Sequence, residues 1–165
     1  MNIWIAALAA VLIQPIVMLL RLAPDYLASP QPLNGIGLMI VAILAVASAA
    51  VLILGIPTFL ALRKLGKDSW LSMASAGLIL GALPNVFFWP RQMEGYSAGH
   101  NWHGTYVDTY IDGIPTNYAW LSYAEGVFFM AMHGLAGALI FYVILRGLNR
   151  SQSASKPKVL TAHIS

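Results

Sequence analysis

Residues 91–118 read RQMEGYSAGHNWHGTYVDTYIDGIPTNY. This is the longest run in the chain that a bilayer could not hold. Its position, between apolar runs on both sides, decides how the rest is read. The 165-residue chain is 59% hydrophobic and only 9% charged. A soluble domain carries roughly 25% charged residues. The mean hydropathy is +0.72, and the apolar residues come in blocks long enough to cross a membrane. The sequence therefore predicts a polytopic, all-α membrane protein: a four-helix transmembrane bundle in one domain over residues 1–146.

The spans fall at about residues 3–20, 35–62, 70–89 and 118–145. Gln14-Pro15 interrupts the first; proline removes an intrahelical hydrogen bond, and Gln14 needs a partner inside the bundle. No positive residue precedes that run and no convincing cleavage signal follows it, which disfavours a cleaved signal peptide. Residues 21–34 read as a short extramembrane loop. In span two, Ala42, Ala45, Ser48 and Ala49 form a small-residue stripe, and Gly55-Ile56-Pro57 should loosen the last turns. Span three contains Gly77 and Gly81 in a GxxxG spacing, and span four contains Gly134 and Gly137. Small residues at such spacing let helices approach closely where lipid supplies no hydrophobic drive for association. Whether the partner is another span or a second copy is open at this stage. Residues 147–165 are basic and Ser-rich and read as a disordered tail.

Charge sets the expected orientation. The turn at residues 63–69 and the tail hold Arg63, Lys64, Lys67, Arg146, Arg150, Lys156 and Lys158, against Arg21 and Arg91 on the other side. By the positive-inside rule both termini are cytoplasmic and the 91–117 loop faces outward. Trp70 and Tyr142 then fit the inner aromatic belt, and Trp89, Tyr118 and Trp120 the outer one. A bacterial inner membrane is the expected location. The basic residues flank apolar spans, which points away from nucleic acid. The absence of cysteine removes disulfides, thiolate metal sites and cysteine nucleophiles.

Within the loop, residues 105–111 are β-branched or aromatic enough to form a strand. Period two places Tyr106, Asp108, Tyr110 and Asp112 on one face, and Asp112-Gly113 can turn the chain into a β-hairpin. His100 and His103, with Asp108 and Asp112, are the candidate metal ligands, since neutral imidazole and carboxylate suit zinc and related ions. Their spacing matches no strong signature, and the competing reading is a loop of solvated side chains. No other cofactor is implied. Haem wants ligands on two helices, and His133 is the one histidine within a span; Met73 and Met130 read as core.

The intramembrane polar residues are Gln14, Asn85, Glu125 and His133. Glu125 and His133 stand eight residues apart, about 80° around the helix at about 100° per residue, so both can face the bundle interior. Such a pair serves a proton path, a polar pocket or plain structure. No P-loop, GxGxxG, GxSxG or HExxH motif is present. These features lead to a non-enzymatic protein that works by binding another membrane protein or a second copy of itself within the lipid bilayer. It would be an accessory subunit, an assembly factor or an immunity-type protein. Trp102, Tyr106 and Tyr110 are the expected contacts, being residue types enriched at interface hot spots. The alternative is a membrane enzyme or small carrier using Glu125 and His133, with a metal at His100 and His103.

Overall fold

The computed structural model describes residues 3–28 and 35–154. The chain is mostly helical, with a small sheet between its last two helices. The elements are α1 (Ile3–Ala28), α2 (Ile36–Ala50), a π-helical turn (Val51–Gly55), α3 (Ile56–Lys64), α4 (Trp70–Val86), β1 (Ala98–Trp102), β2 (Thr105–Ile111), β3 (Ile114–Pro115) and α5 (Asn117–Ala154). Three stretches, Ile3–Ala23, Ile36–Lys64 and Asn117–Gln152, are long and apolar enough to cross a membrane. Helix α4 is shorter, at 17 residues.

Two expectations about helix ends need correction. Residues 21–28 are not loop, because α1 continues through them. Residues 147–154 are not a disordered tail, because α5 runs on to Ala154 and Ser151 donates back to the Gly147 carbonyl. The remainder of the expected tail, 155–165, and residues 29–34 of the expected loop lie outside the described residues.

Pro57 explains the π turn. It stands at the start of α3, lacks an N–H, and its ring crowds the carbonyl four residues back. The ladder widens there: the Ile56 N–H donates to Val51 O, five residues earlier. The turn after α3 is closed by Gly66 at φ 69°. Lys67 N–H reaches Leu62 O at 2.8 Å and Gly66 N–H reaches Arg63 O at 3.0 Å, the paired bonds of a Schellman ending. Ser69 then caps α4 by accepting from the Ser72 N–H.

Helix α5 is the element on which α1 and α4 both pack, each antiparallel to it. Along α1, Ala10 faces Gly137, Gln14 meets His133, and Arg21 meets Glu125. Along α4, Gly77 faces Gly134 and Ala138, Gly81 faces Met130, and Val86 accepts from the Tyr123 hydroxyl. A buried cluster closes one end: Ala6, Ala7, Ala10, Phe59, Met73, Phe141 and Leu145. In it the Phe59 and Phe141 rings meet edge to face at 5.0 Å. Helix α2 has no buried residue. Its small-residue stripe is not closed by α4; α2 rests on α1, and the π turn and α3 make the link to α4.

The sheet is antiparallel in the order β1-β2-β3. The strand expected at 105–111 and its turn at Asp112-Gly113 are both present. A second hairpin, at His103-Gly104, joins β1 to β2. All four central turn residues have positive φ: 50°, 87°, 48° and 81°. That is the two-residue turn whose twist matches the flanking strands. Val107 is buried and faces α5, which leaves Tyr106, Asp108 and Tyr110 on the opposite face.

Gly113 carries two constraints at once. Its φ is left-handed, and a Cβ there would collide with the Met93 carbonyl. Gly104 has the same kind of φ with open space around it. Gly113→Val is therefore expected to loosen the sheet by about 1–3 kcal/mol, read as faster protease cleavage within residues 91–117 at unchanged helix content. Gly104→Ala should cost only the backbone strain, about 1–2 kcal/mol. Equal protease resistance in wild type and Gly113→Val would contradict this.

Candidate functional site: a polar clamp and an apolar crevice

Two clusters of polar side chains tie α5 to α1, one of them also to the sheet. The cluster beside the sheet centres on Glu125. Its Oε2 accepts from the Trp102 indole N–H at 2.9 Å, and His103 Nε2 lies 3.5 Å from the same oxygen. Arg21 Nη2 is 3.7 Å from Oε1, and its guanidinium stacks on the Phe129 ring at 3.8 Å. Trp102 also packs edge to face on Tyr118 at 5.5 Å. His100 Nε2 sits 3.3 Å from the Ser122 hydroxyl. Tyr118, Ser122, Glu125 and Phe129 recur at three- and four-residue steps, so one stripe of α5 receives both the sheet and the end of α1.

The second cluster is Gln14 with His133. Gln14 is 8% exposed. Its Nε2 donates to Ala10 O at 3.1 Å and to His133 O at 3.2 Å, and its Oε1 lies 2.7 Å from His133 Nδ1. Carbonyl oxygens only accept, so the amide orientation is fixed and His133 Nδ1 is the donor to Oε1. The partner that Gln14 needs is thus His133. Glu125 and His133 do not act as one pair; each is engaged by different residues.

The expected metal ligands are not brought together. The His103-Gly104 turn places His100 in β1 and His103 beyond it, on different partners. Asp108 lies on the far face of β2, and Asp112 forms the second turn. Among the described residues no three His, Asp or Glu side chains converge as a metal site would need. The half-buried Trp102 turns its indole N–H in to Glu125. Tyr106 is 69% exposed and Tyr110 half-buried against Tyr96, the rings 5.2 Å apart. With Ser97, Asp108 and Ile111 the two tyrosines line a shallow concavity. Asn85 comes near Gly126, where a Cβ would stand 3.6 Å from its Nδ2. Gly77, Gly81 and Gly134 form the α4–α5 contact, and Gly137 leaves room for Gln14.

Arg21 was assigned to a loop by the sequence and so was missed. A signal existed: a carboxylate inside a span calls for a cation, and only Arg21 and Arg91 stand on that side of the charge pattern. An apolar crevice of about 430 Å³ opens between α2 and the α1, α4 and α5 group. Of its lining residues only Gln14, Thr58 and His133 carry polar side-chain groups.

Comparison with protein-family models, curated proteins and solved structures finds no match for this chain.

Proposed function

We propose that the protein is a non-enzymatic, polytopic inner-membrane protein that acts by binding another membrane protein. The observation that carries this reading is the apolar and aromatic surface of the sheet. Tyr106 is 69% exposed, Ile114 61% and Ile111 52%, with Met93 and Tyr96 also exposed. On a water-facing segment such a patch marks an interaction surface. The helices supply the membrane half of the argument. Three are of membrane length, and α4, about 26 Å long at 1.5 Å per residue, is near the roughly 30 Å of a hydrocarbon core. With α4 crossing too, they make a four-helix transmembrane bundle. The charge pattern then sets the termini in the cytoplasm and the sheet outside.

An enzyme or carrier built on Glu125 and His133 has less support, because the two groups hold separate structural partners. The test uses the cysteine-free background. Tyr106→Cys should react with a membrane-impermeant maleimide in intact cells, and Asp68→Cys only after permeabilisation. A photoreactive residue at position 106 or 111 should then crosslink one defined protein. Labelling of position 68 from outside overturns the orientation, and crosslinks to lipid alone overturn the partner.

A further inference from the structure

The crevice is separate from the sheet patch, and its shape restricts its occupant. It extends along α4 from Pro84 to Met73, roughly 16 Å at the helical rise of 1.5 Å per residue. Its volume of about 430 Å³ falls in the roughly 300–1,000 Å³ range of small-molecule sites, and its lining is apolar along nearly the whole length.

Its polar chemistry is equally restricted. His133 lines the crevice at the level of Gly77 and Gly81. Its Nδ1–H is committed to Gln14 Oε1. In the neutral ring this leaves Nε2 as an acceptor, and among the described residues no hydrogen bond occupies it. Both Gln14 donor hydrogens have carbonyl partners. Besides the Thr58 hydroxyl, the crevice thus offers the His133 acceptor for a hydrogen-bond donor, and no cationic side chain lines it for an anionic headgroup. We propose that it binds an elongated apolar molecule carrying one hydroxyl group, which donates to the His133 imidazole while the hydrocarbon lies between α2 and α4.

The test is native mass spectrometry and thermal stability of the full chain in detergent, with dodecan-6-ol as the probe. Its methyl ether, which has no O–H, is the comparison. The expected result is one bound alcohol per chain, held at least about tenfold more tightly than the ether. Ala47→Phe, which fills the crevice without touching the Gln14–His133 pair, should abolish binding; Ala42→Phe replaces it if that variant does not fold. Gln14→Leu/His133→Phe, which removes the His133 acceptor together with its Gln14 partner, should bring the alcohol down to the ether's affinity. Equal affinity for alcohol and ether overturns the hydroxyl assignment. Binding that survives the crevice-filling variant, or a crosslink from position 47 to a second protein, overturns the site.

Discussion

Gly134→Leu is expected to separate α4 from α5 and to leave little folded protein. A Cβ at this position would collide with the Gly77 carbonyl oxygen and stand 2.9 Å from the backbone of Gly81. Both obstacles are main chain, so no rotamer change relieves them. Overpacking typically costs about 1–3 kcal/mol and sometimes more. The upper end applies here because a whole helix must move. Marginal stabilities of about 5–15 kcal/mol make that loss large. It falls on the most extensive contact between elements in the molecule, and in lipid close packing is the main force holding two helices together. Gly126→Leu is the control: on the same helix, a Cβ there meets only the Asn85 side-chain amide, at 3.6 Å. Denaturant titration of helix content in detergent measures the difference. The idea is lost if Gly134→Leu and Gly126→Leu unfold at the same denaturant concentration. Because the contact lies within one chain, the defect should appear as unfolding and not as loss of an oligomer.

That point shows what could be read from residues and what could not. The GxxxG spacing at Gly77 and Gly81 announced close packing, but the partner, Gly134, lies more than fifty residues away. Pattern alone carries no pairing across such a distance. Helix positions followed from apolar run length. Their ends did not: α1 runs on through Pro24, where a break would be expected, and α5 runs past Gly147 into polar residues such as Asn149, Ser151 and Gln152, where apolar run length carries no signal. In residues 91–117, the β-branched and aromatic run of β2 was legible, as was the Asp112-Gly113 turn. Strand β1, with Gly99, His100 and Asn101, has little strand propensity of its own. It is extended because the His103-Gly104 turn sets it against β2, a tertiary override of local preference. Likewise nothing near Trp102 in sequence reveals that Glu125 will take its N–H. The crevice was illegible in principle, because it is the space that α2 leaves by resting on α1.

The pair Gln14 and His133 should behave as one unit in a double-mutant cycle. His133→Leu leaves the Gln14 Oε1, on a side chain only 8% exposed, without a donor. Stranding a buried polar atom costs about 1–3 kcal/mol. Gln14→Leu strands the His133 ring N–H in turn and also removes the donor that satisfies two carbonyls. The double variant Gln14→Leu/His133→Leu strands neither side chain and replaces both by apolar groups of similar size. It should therefore be more stable than the sum of the single losses predicts. Hydrogen bonds between membrane helices average only about 0.6 kcal/mol and reach about 1.7. A coupling near 1 kcal/mol is expected here, because the contact is short and the amide also ties α1 to the His133 carbonyl. Unfolding midpoints of the four proteins in one detergent give the coupling directly. Additive losses would mean that the two side chains stabilise the molecule independently. α1 would then be held to α5 by the small-residue contact of Ala10 with Gly137 and by the Arg21–Glu125 clamp, not by this hydrogen bond.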